Sequence, residues 1–372
     1  MSRQKTDSFI RRLTTTPLKY IPLLLLGFFL ALVPAATGQQ AYLQPAEPQF
    51  MPGETDGNCP SFWWNGRYCL FTSIGRPLKL NIWLEEYETW ETLDVDVTTL
   101  QDLAIWVESV WVDDDGTLFG WYHHEPGEMY PDSQLTAPKI GAIISYDGGR
   151  TIHDLGFILE TGDPLEPDAR NGAFTGGHGD FSVILDQERE FFYFHFTNYN
   201  GPEESQGIVT ARMAFADRFA PQDRVFKYHE GSWTEPGRGG RMTPIFRADR
   251  AWRHEDPDSL WGPAVHWNTY LERHVMLLNR TYGQPGWSQE GIYIAYSTDL
   301  SRPEDWSEPD KIMGSSALPH WGLFYPQALG LDAGNTDTTV GHVARFYLNG
   351  GSLWEIVFVH EDGWRPSARS QH

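Results

Sequence analysis

The sequence predicts an all-β protein built as a five-bladed β-propeller. Residues 143–159 and 293–312 share one pattern: an alternating strand, a turn that contains Ser and Asp, and the beginning of a further strand. Helical signals are scarce, because no segment keeps an apolar period of 3.6 residues for three turns. The 25 Pro and 36 Gly also interrupt the chain too often for long helices. Repeated antiparallel hairpins without helices are typical of propellers.

The first of these hairpins contains an Asp box. The pattern S-x-D-x-G-x-T-W is matched, apart from its final Trp, by Ser145, Asp147, Gly149 and Thr151. In such turns the short Ser and Asp side chains bind nearby backbone groups, and Gly adopts conformations that other residues resist. The pattern therefore predicts a tight turn between two antiparallel strands.

Five segments each contain an apolar strand, a turn and a second alternating strand, as in the inner hairpin of a propeller blade. They are residues 59–73, 106–126, 179–199, 261–281 and 325–350. A propeller accommodates a chain of this length as one domain, because it consists of several small sheets rather than one large core. We therefore predict a propeller over residues 58–362.

The first 38 residues have the features of a secretory signal peptide. Basic residues precede an apolar run over residues 21–33, and Ala36-Thr37-Gly38 resembles a cleavage site of small residues. The alternative is an uncleaved membrane anchor, although the run is shorter than the ~20 residues of a spanning helix. We expect a secreted or periplasmic protein in which residues 39–57 are an N-terminal extension and residues 363–372 a C-terminal tail.

The charge balance argues against two classes of partner. The chain has 28 Lys and Arg against 50 Asp and Glu, a formal net charge of −22. Removal of the basic signal peptide makes the remaining chain more negative still. Nucleic acid and anionic membrane surfaces repel such a protein. We therefore predict no nucleic-acid partner and no membrane contact beyond the export signal.

The aromatic content favours a carbohydrate partner. The chain has 16 Trp, 16 Tyr and 21 Phe. Flat apolar rings in a cleft can contact the C–H faces of pyranoses, although propeller blades also pack with aromatic side chains. We predict a carbohydrate substrate or ligand.

The two cysteines, Cys59 and Cys69, lie on either side of the turn Asn65-Gly66. Asn-Gly between two alternating strands is a strong hairpin signal. In an exported protein we expect these cysteines to form a disulfide between neighbouring strands. A metal site is disfavoured here, because no other His or Cys lies nearby at ligand spacing.

The fourth unit, WGPAVHWNTYLER followed by GIYIAYSTDLSRPEDW, resembles the blade pattern of the five-bladed glycoside hydrolases of family 43 and their relatives in families 32 and 68. The mature chain also resembles secreted bacterial proteins of this type and of the sialidase-like type. The resemblance implies a five-bladed propeller that acts on a polysaccharide or oligosaccharide. Family 43 uses two Asp and one Glu in catalysis, but Asn58 and Ala264 occupy the places of the two Asp. The resemblance therefore carries over the fold and not the catalytic trio.

Glu108 and Asp180 are the two acidic residues at the starts of inner strands, where the blades converge on the mouth of the channel. Sugar hydrolysis requires two carboxyl groups, one that stays protonated and one that is ionised. We predict that Glu108 and Asp180 form this catalytic pair. The alternative is that both bind backbone groups and close the channel.

Other residues near the ends of inner strands are predicted to bind the sugar: Trp63, His124, Glu125, His178, Trp261, His266, Tyr325 and Gln327. His123 belongs to the same group of histidines, whose rings can bind hydroxyls, donate protons or hold an ion. We predict no cofactor and no catalytic metal, and a structural divalent cation such as calcium remains an alternative.

Two functions remain open from the sequence. The first is a secreted carbohydrate-active enzyme, a hydrolase or lyase in which Glu108 and Asp180 supply the acid and base. The second is a non-catalytic propeller that binds glycans at the same channel mouth.

Overall fold

The structure is a computed structural model that describes residues 40–360, except residues 101–102, 132, 284–286 and 321. The predicted signal peptide and C-terminal tail lie outside the described residues. Within the described part, helix is limited to five short 3-10 turns: Thr98–Leu100, Glu203–Ser205, Phe215–Asp217, Pro303–Asp305 and Ser315–Ala317. None of the described helices is long and apolar enough to cross a membrane.

The described strands form five sheets that follow one another along the chain, which confirms the predicted five-bladed β-propeller. The chain begins with β1 (Ala41–Phe50). The first sheet contains β2 (Ser61–Trp64), β3 (Arg67–Ser73), β4 (Leu78–Leu84) and β5 (Thr89–Asp94). The second contains β6 (Ile105–Val112), β7 (Leu118–His124), β8 (Lys139–Ser145) and β9 (His153–Leu159).

The third sheet contains β10 (His178–Leu185), β11 (Phe191–Asn198), β12 (Gly207–Ala214), β13 (Val225–His229), β14 (Ser232–Pro236) and β15 (Phe246–Arg247). The fourth contains β16 (Ser259–Asn268), β17 (Arg273–Thr281), β18 (Gln289–Ser297) and β19 (Asp310–Gly314). The fifth contains β20 (Gln327–Gly330), β22 (Val343–Leu348) and β23 (Gly351–Phe358) together with β1, whereas β21 (Thr339–Val340) pairs with β16 of the fourth sheet.

Strands from both ends of the described chain close the ring. β1 pairs antiparallel with β23, and Ala41 lies opposite Phe358. Residues 41–50 are therefore the outermost strand of the fifth blade, whereas the sequence analysis placed them in an N-terminal extension. The fifth sheet thus joins the first described strand, β1, to three of the last four, β20, β22 and β23.

The hydrophobic core lies between neighbouring sheets and not in one centre. Strand side chains alternate between two faces, so each sheet can pack against the blade on either side. Phe181 and Phe194 of the third sheet pack with Trp121 of the second. Val265 of the fourth sheet packs with Tyr193 of the third. This packing holds the inner strands β2, β6, β10, β16 and β20 around one axis.

The turn between β8 and β9 has the side-chain bonds to the backbone that its sequence pattern predicts. The Ser145 hydroxyl accepts a hydrogen bond from the Gly149 backbone N–H at 2.9 Å. The Asp147 carboxylate accepts one from the Thr151 N–H, also at 2.9 Å. Gly149 has a φ of 88°, a conformation in which a side chain would be strained.

The predicted disulfide between Cys59 and Cys69 is absent, and both cysteines are free and buried. In the pairing of β2 with β3, Phe62 lies opposite Cys69. Cys59 comes before β2 and packs instead with Met51. The prediction was wrong because the two cysteines lie at different distances from the turn and are therefore not cross-strand partners.

Candidate active site

A cavity of about 200 Å³ is lined by residues from the beginnings of all five inner strands or the loops just before them. Each blade contributes at least one such residue: Asp56, Glu108, Asp180, Trp261 and Tyr325. The topology explains this convergence, because the inner strands of a propeller start at the same end of the channel. The remaining lining residues are Trp106, His123, Glu125, Ala173, Phe174, Trp287 and Phe324.

Both predicted catalytic residues lie at β-bulges. The register shifts between Val107 and Ser109 in β6, and again between Gly179 and Phe181 in β10. Asp180 has a φ of 42°, a left-handed conformation that Asp adopts more readily than most residues. An extra residue in one strand redirects its side chain, and bulges are frequent next to active sites. Strand patterns alone do not reveal such bulges.

Glu108, His123 and Asp180 form a buried cluster at the cavity. One ligand atom from each residue lies within 4.8 Å of the other two. Nδ1 of His123 lies 3.5 Å from Oε1 of Glu108, and Nε2 lies 3.4 Å from Oε1 of Glu125. The imidazole of His123 therefore stands between two carboxylates.

Hydrogen bonds fix one oxygen of each predicted catalytic carboxyl group. The Phe181 backbone N–H donates to Oε2 of Glu108 at 2.7 Å. The Tyr199 hydroxyl donates to Oδ2 of Asp180. The Asp180 backbone N–H lies 3.2 Å from Nδ1 of His123, which accepts this hydrogen bond only while that nitrogen carries no proton. Such bonds hold reacting groups in a defined geometry before a ligand arrives.

The surroundings give the buried groups different protonation states. Burial raises the pKa of Asp180 to about 7; the charge of His123 opposes this rise, and the charge of Glu108 adds to it. Burial also acts to lower the pKa of His123, but hydrogen bonds and charges from Glu108 and Glu125 prevail, so that the pKa lies well above its usual value. Asp180 therefore remains partly protonated near neutrality while His123 is cationic, an arrangement suited to acid catalysis.

Gly179 provides the space that His123 occupies. A Cβ atom at residue 179 would lie 2.6 Å from Cε1 of His123 and 3.0 Å from Cβ of Pro138. We expect Gly179→Ala to lower the free energy of unfolding by about 1–3 kcal/mol, the usual cost of overpacking. Thermal unfolding measures this loss. Gly127→Ala is the control, because a Cβ there meets nothing within 4 Å, and equal melting temperatures for the two variants would contradict the expectation.

Several polar atoms of the cavity lining are buried without a hydrogen-bond partner. They are the indole N–H groups of Trp106, Trp261 and Trp287. A buried group left without a partner costs ~1–3 kcal/mol. A ligand with oxygen acceptors would remove part of this cost.

Part of the set predicted from sequence comes together in this cavity: Glu108, Glu125, Asp180, Trp261 and Tyr325. The structure places the other five predicted residues elsewhere. Trp63 donates its indole N–H to the Asn335 carbonyl at 3.1 Å. The Nδ1 atom of His124 lies 2.8 Å from the Ala104 carbonyl. Because strand side chains alternate, His123 faces the cavity and its neighbour His124 does not.

His178, His266 and Gln327 also lie away from the cavity lining. Nζ of Lys227 lies 2.9 Å from Nε2 of the buried His178. His266 and Gln327 line a second, much smaller space near the axis. Gln327 exchanges hydrogen bonds with both backbone groups of Cys59 and so links the fifth blade to the first.

Sequence reasoning did not include several residues that the structure places at the cavity. The sequence groups His123 with the other histidines, but the predicted site contains only its neighbour His124. The others are Asp56, Trp106, Phe174, Trp287 and Phe324. Four of these five lie outside strands, where no periodic pattern marks the direction of a side chain.

Asn58, at the place of an Asp in the resembling enzymes, has a structural contact instead. Its Nδ2 donates to the carbonyls of Phe181 at 3.1 Å and Pro263 at 3.2 Å. The amide therefore joins the first blade to the third and fourth blades. An aspartate has no N–H to donate to these carbonyls.

A comparison with known protein families finds no match, and neither does a comparison with curated proteins. Several solved structures are similar to the chain. An exo-1,5-alpha-L-arabinanase from a bovine ruminal metagenomic library has 12% identity and a TM-score of 0.48, over 85% of this chain and 98% of the arabinanase. An alpha-L-arabinofuranosidase from Lactobacillus brevis has 13% identity and a TM-score of 0.47, over 84% of this chain and 91% of that enzyme.

An exo-beta-1,3-galactanase from Phanerochaete chrysosporium has 12% identity and a TM-score of 0.44, over 86% of this chain. The match spans 64% of the galactanase, which is less than two thirds of its length. These structures are glycoside hydrolases of the kind that the sequence patterns resemble. At such identities the similarity is one of fold.

Proposed function

We propose that the protein is an exported glycoside hydrolase whose cavity binds the end of a carbohydrate chain. The observation that carries the proposal is the buried pair of Glu108 and Asp180 at an aromatic-lined cavity. Asp180 retains a proton near neutrality, and Glu108 faces the His123 cation. These are the two carboxyl roles that hydrolysis of a glycosidic bond requires.

The other lining residues support a sugar as the ligand. The cavity combines carboxylate acceptors, unpaired N–H donors and flat aromatic rings. A sugar hydroxyl can both donate and accept hydrogen bonds, and the C–H faces of a pyranose can pack on rings. The volume of about 200 Å³ is below the ~300–1,000 Å³ of typical ligand pockets. We therefore infer that a terminal sugar enters, and not the middle of a chain.

The separation of the pair favours a retaining mechanism. Ligand atoms of Glu108 and Asp180 lie within 4.8 Å of each other. Retaining enzymes hold their two carboxyl groups ~5–5.5 Å apart, whereas inverting enzymes need ~6.5–9.5 Å to admit a water molecule. In the proposed reaction Asp180 protonates the glycosidic oxygen, the bond from this oxygen to the anomeric carbon breaks, and Glu108 Oε1 bonds to that carbon. Asp180 then takes a proton from the water that hydrolyses the glycosyl-enzyme.

A non-catalytic glycan-binding propeller is the second candidate. Glu108 accepts the Phe181 N–H and thereby connects the second blade to the third. A carboxylate that joins two blades in this way can have a structural role alone, without taking part in catalysis. Both candidates require sugar binding and differ only in product release.

A panel of oligosaccharides with different terminal sugars tests the proposal. Calorimetry measures binding, and chromatography measures the released sugar. We expect one class of terminal sugar to be bound and removed, with the anomeric configuration of the first product retained in proton NMR. Binding without release across the panel would favour the second candidate, and binding of no sugar would contradict both. Export is tested by N-terminal sequencing of protein recovered outside the cytoplasm, which is expected to begin near Gln39.

A further inference from the structure

A second pair of carboxylates, Asp56 and Glu125, lines the same cavity closer to solvent. Asp56 is exposed and lies in the loop before β2. Glu125 follows β7, and its side chain is 32% exposed. Glu108 and Asp180, by contrast, are buried. The outer pair is therefore accessible to a substituent of a bound sugar, separately from the proposed catalytic pair.

The cavity lining carries an excess of negative charge. It contains four carboxyl groups, and His123 is the only basic side chain among the described residues that line it. The two ring nitrogens of His123 already face Glu108 and Glu125. Although Asp56 as a whole residue is exposed, desolvation of its carboxyl group by its neighbours and the charge of Glu125 raise its pKa, while His123 and a hydrogen bond with Tyr325 oppose this rise. The outer carboxylates thus repel each other, and a cation between them would relieve the repulsion.

Two further contacts favour a cationic group on the ligand. The Trp106 ring also lines the cavity, and its centroid lies 5.5 Å from that of His123. An indole face attracts cations within ~6 Å of its centroid. Nε2 of His123, a residue only 3% exposed, lies 3.4 Å from Oε1 of Glu125 but makes no well-aligned hydrogen bond. A hydroxyl or amine with a free lone pair can accept from this nitrogen while a neighbouring ammonium contacts the carboxylates.

We propose that the cavity selects sugars that carry a protonated amino group, and that this ammonium binds between Asp56 and Glu125. The inference rests on the proposed function, because it names the substrate class of the same site. Sugars with a carboxylate are disfavoured, since no Lys or Arg is among the described lining residues and the ring nitrogens of His123 already face Glu108 and Glu125. Buried charges without a partner are strongly unfavourable. We expect the cavity not to prefer N-acetylated sugars over neutral ones, because their amide group carries no positive charge.

Matched oligosaccharides of equal length test this selection: glucosamine, N-acetylglucosamine, glucose and galacturonate oligomers, and a galactosamine oligomer. Calorimetry at low salt and at a pH below the amine pKa measures their affinities. We expect an amino-sugar oligomer to bind about tenfold or more tightly than its neutral counterparts, as a charged hydrogen bond implies. The galacturonate oligomer is expected not to bind. Added salt should reduce the preference, because it screens charges.

Asp56→Asn and Glu125→Gln each remove one negative charge and preserve the shape of the side chain. We expect the double variant to bind amino and neutral oligomers with a ratio near one. Glu86→Gln, on the exposed turn between β4 and β5, removes one charge far from the cavity and should keep the wild-type ratio.

The possible outcomes separate this inference from the proposed function. Equal binding of amino and neutral oligomers by the wild type would overturn the inference and leave the glycoside hydrolase proposal intact. A preference that disappears with a chelator would assign the outer pair to a metal ion and would also overturn the inference. Binding of no oligomer would contradict both proposals.

Discussion

Replacing Asp180 by Asn is expected to lower turnover by about 10²–10⁴-fold, the usual contribution of a general acid. An amide of the same shape cannot deliver the proton to the leaving oxygen. The left-handed backbone at this residue, with a φ of 42°, is also open to Asn, so the fold is preserved. Steady-state kinetics on the oligosaccharide that the wild type cleaves measures the effect. A loss in kcat with little change in KM would indicate proton transfer and not binding.

Asp186→Asn is the matched control for this variant. Asp186 lies in the turn of the same blade, where its carboxylate accepts the backbone N–H groups of Glu190 and Phe191. We expect turnover near that of the wild type. In the wild type, the rate should fall as the pH rises through about 7, because Asp180 then loses its proton. Full turnover by Asp180→Asn would contradict the proposed acid.

The same Asp180→Asn variant is expected to be more stable than the wild type at alkaline pH. The pKa of Asp180 is about 7 in the folded protein and ~3.9 in an unfolded chain. Below about pH 4 the Asp180 carboxyl group is protonated in both the folded and the unfolded protein, so it does not lower the free energy of unfolding. Between about pH 4 and 7 the Asp180 carboxyl group ionises in the unfolded chain but stays protonated in the folded protein. This difference stabilises the unfolded chain, and the wild type loses on the order of 4 kcal/mol of unfolding free energy.

Asn cannot ionise, so the variant avoids this loss. We expect the difference in stability to be full at about pH 8, above the folded pKa of Asp180, and to vanish near its unfolded pKa. Denaturant unfolding at several pH values measures it. A stability difference that does not depend on pH would contradict the burial cost assigned to Asp180. If Asp180→Asn both raises the free energy of unfolding and lowers turnover, the wild-type Asp180 contributes to activity while it destabilises the fold.

The sequence allowed the five blades to be predicted because their inner hairpins are apolar and regular. It did not reveal the closing strand β1, which contains Pro45 and Pro48 and is mostly exposed or half-buried. Proline lacks the N–H of a central strand but is tolerated in an edge strand. Such a segment has the composition of a loop, and its pairing depends on a partner more than 300 residues away.

The two acidic residues of the candidate site could be predicted because each lies near the start of an inner strand. Glu108 and Asp180 satisfy this condition, and both line the cavity. The choice of His124 over His123 failed because one residue along a strand reverses the direction of the side chain. Phe174 and Trp287 come from loops, and their positions depend on tertiary packing that no local pattern records.

The closure of the ring links the order of synthesis to the completion of the fold. β1 is among the first parts of the described chain to be made, and its partner β23 is the last strand. The first three sheets use only strands that are close in the chain and the fourth adds the later strand β21, whereas the fifth joins segments about 300 residues apart. The fifth blade therefore cannot assemble until translation has passed residue 358. Until then β1 has no strand partner, and the ring of blades stays open.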